Sequence, residues 1–355
     1  MELKKLTLRH FRNYTYATFV FAPGINVIQG PNGTGKTSLL EAIYLFSTGR
    51  SFRTPHLSDL IQHGHRTFHI EAHFEKEGVL QSLSIQFSEA KRTIYHNASK
   101  QQATSDLLGL FPSVLYAPKD GALIIGSPSD RRRFLNIQLA QTHPRYTYHL
   151  IRYHKALKQR NALLKMTSLD AVSSWERVMA QSGCYLIEER QRLIQDLQPK
   201  LTAHGAALCP GDEAFDIHYK PSIPITKESD QPLWRQLFTR FEQHRPKESV
   251  LGTTLFGPHR DDFFILHRNQ DAKAYASEGQ KRSCIAALKM AEWDQLTTQA
   301  RCAPIFSIDD FDIHLDSKRR KNFSAQLTRF GQVFLTTPAS CLQDVHLLTL
   351  PQQEK

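Results

Sequence analysis

Cysteine is scarce in this chain, and long apolar runs are missing from it. The five cysteines among 355 residues are odd in number, far apart and form no C-x-x-C pair, which argues against a disulfide framework or a zinc site. No stretch reaches the roughly 18 apolar residues of a membrane span. Charges interrupt Met1–Arg9, so no signal peptide is predicted. A reducing cytoplasm is the compartment we expect.

Acidic residues are also in short supply. Lys plus Arg total 45 against 34 Asp plus Glu, so the formal net charge is +11 and the pI is about 9.4. Such a balance suits a polyanionic partner, nucleic acid or an anionic membrane surface, although many basic proteins are merely soluble. No recognition helix, zinc finger or RNP motif is present. Any DNA binding is therefore expected to be sequence-independent and directed at the phosphate backbone.

The pattern of apolar residues changes twice along the chain. Alternation within residues 6–21 and 66–96 predicts half-buried strands, and Ile25–Gln29 is typical of a short buried strand followed by a Gly-rich turn and a helix. From Tyr146 onward, apolar residues recur three and four positions apart, as on one face of a helix, and a second helical stretch follows. Together they predict a helical hairpin over about 145–203.

A pattern of apolar residues typical of strands returns around Leu255. The fold class predicted is α/β, with a P-loop domain of mixed sheet and helices that is split in sequence by an inserted, mainly helical arm domain. Residues 1–117 plus 251–355 form the first domain, and residues 118–250 form the insertion.

The segment after the first buried strand carries the strongest motif. Residues 30–37 fit G-x-x-x-x-G-K-[ST] at every position, and a chance match in such a chain has a probability of roughly one per cent. Glycines let backbone N–H groups cradle phosphates, and the next helix directs its positive N-terminus at them. Lys36 is expected to reach the phosphates of ATP and Thr37 to ligate Mg²⁺. The predicted nucleotide contacts of this loop are Gly30, Pro31, Asn32, Gly33, Thr34, Gly35, Lys36, Thr37 and Ser38.

A second buried strand, Pro304–Ile308, ends in two acids. Asp309 is predicted to be the second Mg²⁺ contact and Asp310 the acid that polarises the attacking water, so Asp310 and Lys36 are the predicted catalytic residues. Burying two carboxylates costs desolvation energy unless a cation compensates. The alternative is a solvated strand end with two surface acids. The phosphate loop upstream favours the metal.

A serine-led helix start precedes that strand. Ser277 and Gln280 fit a capping box, which alone implies only a helix start. S-x-G-Q before an acidic strand is also the ABC signature arrangement, in which Ser277, Gly279 and Gln280 would contact ATP held by another subunit. One chain carries one loop and one signature. The arrangement therefore predicts an ATP-dependent, two-fold, head-to-tail homodimer.

Taken together, the chain resembles the RecF family of SMC-like ABC ATPases along essentially its whole length. The segments that carry the resemblance, besides the loop and the acidic pair, are Leu8–Tyr14, Gly126–Leu135, Lys158–Lys165, Gly257–Asp262, Ser277–Arg282 and Gly331–Phe334. The resemblance implies a DNA replication and repair protein that acts at gaps and single-strand/double-strand junctions. It also implies recombination mediator partners, recombinase loading, a role in the SOS response, and nucleotide contacts from Arg12 and Asn13.

Two departures bear on hydrolysis. Ile313-His314-Leu315-Asp316 stands where the family has Ser-Glu-Leu-Asp, and Thr336-Thr337-Pro338 stands where ABC transporters carry a switch histidine. A weak, DNA-stimulated ATPase is therefore expected, and a non-hydrolysing ATP-dependent DNA-binding module stays open. The long insertion and missing membrane signals disfavour a transporter subunit, and the signature disfavours a small-molecule kinase. The basic clusters Arg131–Arg133 and Lys318–Lys321 are typical of solvated faces, and in a clamp they would grip phosphates.

Overall fold

The structure, a computed structural model, describes residues 1–88, 91–166, 171–211, 214–223, 231–311, 317–338 and 345–350. The chain divides into two compact units: unit one is Met1–Gly121, Lys200–Ala214 and Ala276–Lys355, and unit two is Ala122–Pro199 and Phe215–Tyr275.

This division differs from the boundaries expected above. Residues 118–121 and 200–214 group with unit one, whereas 251–275 group with unit two. The reason for the last difference is strand pairing, since Asp262–His267 pairs with Phe215–Lys220 of the same unit. As a division into functional domains, the predicted boundaries remain a prediction.

Fourteen strands run through the described residues. Their bounds are β1 (Glu2–Phe11), β2 (Tyr14–Val20), β3 (Ile25–Gln29), β4 (Thr67–Lys76), β5 (Val79–Ser88), β6 (Lys91–His96), β7 (Ser99–Lys100), β8 (Ser113–Tyr116), β9 (Phe215–Lys220), β10 (Asp262–His267), β11 (Gln270–Asp271), β12 (Ile305–Ile308), β13 (Val333–Thr337) and β14 (His346–Thr349). In unit one, an antiparallel sheet has the order β2-β1-β4-β5-β6-β7, and a parallel sheet has the order β14-β3-β13-β12-β8. Unit two contains the antiparallel sheet β11-β10-β9.

Helices lie between many of these strands in the described part of the chain. Their bounds are α1 (Lys36–Thr48), α2 (Ala122–Ile125), α3 (Pro128–Ala140), α4 (Pro144–Lys165), α5 (Val172–Leu208), α6 (Leu233–Leu251), α7 (Ala272–Tyr275), α8 (Glu278–Ala300) and α9 (Ser317–Gln326). Short 3-10 helices occur at Leu57–Leu60, Thr104–Leu107, Pro118–Gly121 and Leu327–Phe330. Within these described segments, none combines the length and the apolar character that a bilayer span requires.

Helix α1 lies at the centre of the core of unit one. Its apolar side chains belong to one buried cluster with those of both sheets. In β4, Ile70, Ala72 and Phe74 are buried while the residues between them are not, so the predicted half-buried strand is confirmed. Strands β12 and β13 are buried at every position, as expected for a parallel sheet covered on both faces.

Unit two contains most of the predicted helical hairpin, formed by α4 and by α5 as far as Pro199. Helix α5 includes Val172, so Ser173-Ser174 lies in its first turn and does not cap it. The prediction of a strand around Leu255 is wrong, because the chain there turns through Gly257 at φ 118° before β10 begins. Helix α6, which the sequence did not reveal, carries Pro246 in its interior.

Candidate functional site

The candidate nucleotide site lies at the carboxyl edge of the parallel sheet. Strand β13 is hydrogen-bonded to β3 on one side and to β12 on the other. The phosphate loop follows β3 and the acidic pair follows β12, so both emerge at the same edge. Crevices outside the carboxyl ends of parallel strands are where α/β sheets bind ligands.

Two glycines set the course of the phosphate loop. Gly33 has φ 86° and Gly35 has φ 104°, in the left-handed region that side chains disfavour. Around Gly33 there is open space. A Cβ at Gly35, by contrast, would lie 2.6 Å from Tyr14 Oη and 2.7 Å from Asn13 Nδ2. The second glycine is therefore required both by its conformation and by its close neighbours.

The segment between β1 and β2 supports this loop from outside. Asn13 Nδ2 donates to Thr34 O at 3.1 Å, and Tyr14 Oη donates to Gly35 O at 3.2 Å. Burial raises the pKa of the Tyr14 hydroxyl well above its usual range, so the group stays a donor. A direct nucleotide contact from Asn13 remains a prediction. Its observed contact is to the loop backbone.

Lys36 is folded into the loop. Its Nζ donates to Gly30 O at 2.6 Å and to Pro31 O at 3.0 Å, and the side chain is buried. Pro31, Asn32 and Gly33 form the exposed arc of the loop. Thr34 is buried and closes this arc with an Oγ1 to Pro31 O bond of 2.9 Å. The loop thus places a cation where the motif requires one.

The phosphate loop and the acidic strand end meet through one carboxylate. Thr37 Oγ1 donates to Asp309 Oδ1 at 2.9 Å, and Thr336 Oγ1 donates to the same oxygen at 2.9 Å. Asp309 is buried, and this burial raises the pKa of its carboxyl, while both threonine hydrogen bonds act to lower it. The arrangement holds a carboxylate in a desolvated position that a divalent cation would stabilise.

Asp310 is held in an unusual backbone conformation. Its φ is 54°, and its N–H donates to Thr336 Oγ1 at 2.8 Å. Thr336 therefore serves both acids, and neither Thr336 nor Thr337 is exposed. The segment Ile313-His314-Leu315-Asp316 lies outside the described residues.

A buried acid on α1 was missed by the sequence analysis. Glu41 is fully buried and binds the Arg12 guanidinium through two hydrogen bonds of 2.8 and 2.7 Å. Arg12 also donates to Asp59 O at 2.8 Å. The second cationic group near the Glu41 carboxylate is Arg53, at 3.6 Å, whose charge also acts on Asp309 to lower its pKa. The signal available in the sequence was a single acid within the apolar run 39–46.

The predicted nucleotide contact of Arg12 remains a prediction, because each of its three guanidinium nitrogens donates within the chain. Arg53 is a cation close to the site that no motif singled out.

The signature helix begins as predicted. Gln280 N donates to Ser277 Oγ at 3.3 Å, and Ser277 N donates to Gln280 Oε1 at 2.8 Å, which is a complete capping box. Ser277 is exposed. A Cβ at Gly279 would lie 2.6 Å from Arg319 Nη1, so a guanidinium of α9 covers the first turn of α8.

Comparison with known proteins gives the family. The family model described as the RecF/RecN/SMC N terminal domain matches residues 2–344. The chain is 44% identical over 338 residues to the DNA replication and repair protein RecF of Protochlamydia amoebophila (strain UWE25), with 95% of this chain and 94% of that protein covered. The chain belongs to the RecF family.

Solved structures agree with this assignment. The recombination mediator protein RecF-ATP of the RecFOR pathway superposes with a TM-score of 0.90 at 28% identity, covering 98% of this chain and 95% of that one. An SMC head bound to the C-terminal winged-helix domain of ScpA superposes at 0.56 with 15% identity, covering 98% of this chain and 94% of that one. The second likeness concerns the fold alone, and the predicted ABC-ATPase class is confirmed.

Two segments of RecF-family resemblance form buried networks in unit two. In Lys158–Lys165, Arg160 contacts Glu176 at 2.8 Å and Glu248 at 2.7 Å, and all three side chains are fully buried. In Gly257–Asp262, Asp261 accepts from Ser222 N at 2.7 Å and lies 3.4 Å from Arg190. These contacts are structural, because they join helices and loops within the unit.

Several arginines of the predicted basic clusters also bind partners within the chain. Arg131 binds Asp262 through two hydrogen bonds of 2.6 and 2.9 Å, and Arg132 donates to Asp261 O at 2.9 Å. In the other cluster, Arg319 donates to Cys209 Sγ at 3.1 Å, whereas Lys318 and Lys321 are exposed. Arg131 is therefore a poor candidate for a phosphate contact.

Proposed function

We propose that this chain is an ATP-binding protein of DNA replication and repair that closes on DNA as an ATP-dependent homodimer. The observation that carries the proposal is the contact of 2.9 Å between the Thr37 hydroxyl and the Asp309 carboxylate, which joins the phosphate loop to the acidic strand. Relatives support it, since one is named a DNA replication and repair protein and a solved one is named with ATP.

The donor set fits Mg²⁺. Octahedral Mg²⁺ holds oxygen ligands at about 2.0–2.1 Å, so adjacent ligands lie about 3 Å apart. The Thr37 and Asp309 oxygens are separated by 2.9 Å. When bound, the ion would neutralise charge on the ATP phosphates. Thr37 and Asp309 are the residues that would hold it.

The remaining residues of the site have separate tasks. Lys36 leaves the Gly30 and Pro31 carbonyls and pairs with the β/γ-phosphates, while the loop N–H groups cradle the phosphates. Asp310, whose backbone is anchored by Thr336, orients and polarises the attacking water. Hydrolysis is weak and DNA-stimulated, and it opens the dimer.

The homodimer is supported by the exposed Ser277 at the start of the signature helix. Ser277, Gly279 and Gln280 of one copy contact the γ-phosphate of ATP held by the loop of the other. The helix N-terminus adds positive potential there. ATP then joins the subunits, and its hydrolysis removes the bridging phosphate. Family membership supports action at gaps and single-strand/double-strand junctions, recombination mediator partners, recombinase loading and a role in the SOS response.

Three variants separate the steps. Lys36→Met is expected to abolish binding of a fluorescent ATP analogue, and Ser277→Arg is expected to leave it intact. Asp310→Asn should bind ATP but lose turnover, with and without DNA. Binding of ATP by Lys36→Met at the wild-type affinity would contradict the proposed site.

A second candidate function is a non-hydrolysing module in which ATP is a structural ligand. It is favoured by Thr336, near the end of β13, whose hydroxyl donates to Asp309 and accepts from the Asp310 N–H, and which offers no imidazole. Steady-state ATP turnover decides between the two. Turnover by the wild type that is lost in Asp310→Asn supports the ATPase, and DNA binding with no turnover in either protein supports the module.

A further inference from the structure

Helix α4 carries positive charge that the buried networks of unit two do not use. Its 22 residues include no Asp or Glu, whereas α5 beside it contains acids and bases in mixture. Arg160 is the one cation of α4 at a fully buried ion pair with Glu176 and Glu248 among the described contacts. The other cations of α4 are Arg145, Arg152, Lys155, Lys158 and Lys165.

These five side chains lie away from the core of unit two. The buried stripe of α4 consists of Tyr146, Tyr153, Ala156, Arg160 and Leu164. At 100° per residue, Lys155, Lys158 and Lys165 fall on the opposite side of the helix, and Arg145 and Arg152 lie at one edge of the buried stripe. Four of them are exposed and Arg152 is half-buried. From the first to the last, the row extends about 30 Å at 1.5 Å per residue.

The two arginines of this row contact tyrosine side chains. Arg145 lies over the Tyr185 ring at 5.0 Å from its centre, and Arg152 Nη1 lies 3.4 Å from Tyr148 Oη. Tyr148 is 57% exposed. Such contacts restrict the guanidinium groups without neutralising them.

Within the part of the chain that the structure describes, none of the five cations lies within ion-pair distance of a carboxylate. Lys155, Lys158 and Lys165 have no ion pair there. Burial lowers the pKa of His149 on the same helix, and the charges that lower it further are Arg145 and Arg152. The local field is thus positive.

We propose that this α4 face, defined by Arg145, Tyr148, Arg152, Lys155, Lys158 and Lys165, contacts the phosphate backbone of double-stranded DNA. The inference rests on the proposed DNA-binding function and gives it a surface. A row of about 30 Å matches roughly nine base pairs at 3.4 Å per step on each strand. The contacts are to phosphates and are independent of sequence.

The α4 face suits DNA better than an anionic membrane, because it lacks a broad apolar surface. A helix that lies in a membrane interface presents a broad apolar face to the lipid. On α4 the exposed large hydrophobic side chains within the row are Tyr148 and Ile151, which lie among polar and basic neighbours. The face offers charge and hydrogen-bond donors over its length but no continuous apolar surface.

The test compares two double variants of equal charge. Lys155→Gln/Lys158→Gln removes two exposed lysines from the α4 face. Lys220→Gln/Lys247→Gln removes two exposed lysines of the same unit, from β9 and α6. Glutamine keeps helix propensity close to that of lysine. Binding to two 40-base-pair duplexes of unrelated sequence is measured by fluorescence anisotropy with ATP and Mg²⁺ over a salt series.

For each copy that contacts the duplex, we expect Lys155→Gln/Lys158→Gln to weaken binding to both duplexes by roughly ten- to thirty-fold at about 0.15 M salt and to reduce the salt slope by about two, since each phosphate contact contributes about 0.9. The control pair should change the affinity less than threefold. Equal losses in both pairs, or no loss in the α4 pair while the wild type binds, would overturn this inference alone. Wild type that fails to bind either duplex overturns the proposed function itself. If the α4 pair loses binding to phosphatidylserine vesicles but keeps DNA, the face is a membrane contact and the inference is wrong.

Discussion

Replacing Arg160 tests the buried ion-pair network of unit two. Its guanidinium contacts Glu176 at 2.8 Å, Glu248 at 2.7 Å and Thr254 Oγ1 at 2.8 Å, with all three charged side chains fully buried. In Arg160→Met the side-chain stem is kept and the cation is lost. Removing one partner of a buried pair costs about 3–5 kcal/mol, because it leaves a charge without compensation.

The two glutamates are affected unequally. Glu176 keeps Arg245 as an ion-pair partner, whereas Glu248 keeps only the Leu255 N–H at 2.6 Å among its described contacts. We therefore expect a loss near the lower end of that range, about 3 kcal/mol. The second variant, Arg160→Met/Glu248→Gln, neutralises the stranded carboxylate and should recover most of the loss.

Urea unfolding followed by circular dichroism measures both changes. A fall of about 3 kcal/mol corresponds to a melting temperature lower by roughly 10 °C for a unit of this size. ATP affinity should stay at the wild-type value, since Arg160 belongs to unit two and the phosphate loop to unit one. A loss below about 1 kcal/mol for Arg160→Met, or no recovery in the double variant, would refute the reasoning.

Three further predictions concern single positions. Gly35→Ala should lower ATP affinity at least about tenfold, because the new Cβ would lie 2.6 Å from the Tyr14 hydroxyl. Gly33→Ala meets open space, so its loss of ATP affinity should be smaller. Titration with a fluorescent ATP analogue compares the two variants. Thr336→Val removes a hydrogen bond to Asp309 and should lower ATP turnover roughly tenfold in a steady-state assay, and unchanged turnover would contradict its anchoring role. Burial lowers the pKa of His259 to about 4, so the unfolded chain binds more protons between about pH 6.5 and 4. The stability from this neutral imidazole is present above pH 6.5 and lost below it, by about 2 kcal/mol between pH 7.5 and 5, and His259→Gln should flatten that part of the urea-unfolding profile.

Local patterns in the sequence were sufficient for much of the nucleotide site. The strand Ile25–Gln29 has the predicted bounds, and the helix and capping box at Ser277 also form as predicted. Glycine conformations, caps and apolar alternation are short-range properties, so they can be inferred without the fold. The Thr37–Asp309 contact joins residues 272 positions apart, and it was predictable because both residues were expected to ligate one Mg²⁺.

Long-range charge pairing could not be inferred in this way. Arg131 belonged to a cluster considered for DNA, yet its partner Asp262 lies 131 positions away. Arg12 was expected at the nucleotide, and its observed partner is the buried Glu41. In each case a basic residue looks the same in the sequence whether it is solvated or buried against an acid. Helix α6 was missed for a different reason, since the segment 205–250 is rich in proline and shows no clear apolar period, and Pro246 lies inside the helix.

The most direct test of the ATP-joined homodimer is a mixing experiment with two variants, followed by light scattering. With ATP, Lys36→Met and Ser277→Arg should each remain monomeric, while the control Ser127→Arg, which alters the capping box of α3, should dimerise like the wild type. Mixed together, Lys36→Met and Ser277→Arg should form mixed dimers that each hold one ATP. The Ser277→Arg copy supplies the intact loop of that site, and the Lys36→Met copy supplies the intact signature. Wild-type dimerisation by Ser277→Arg alone, or a wild type that stays monomeric with ATP, would contradict the account.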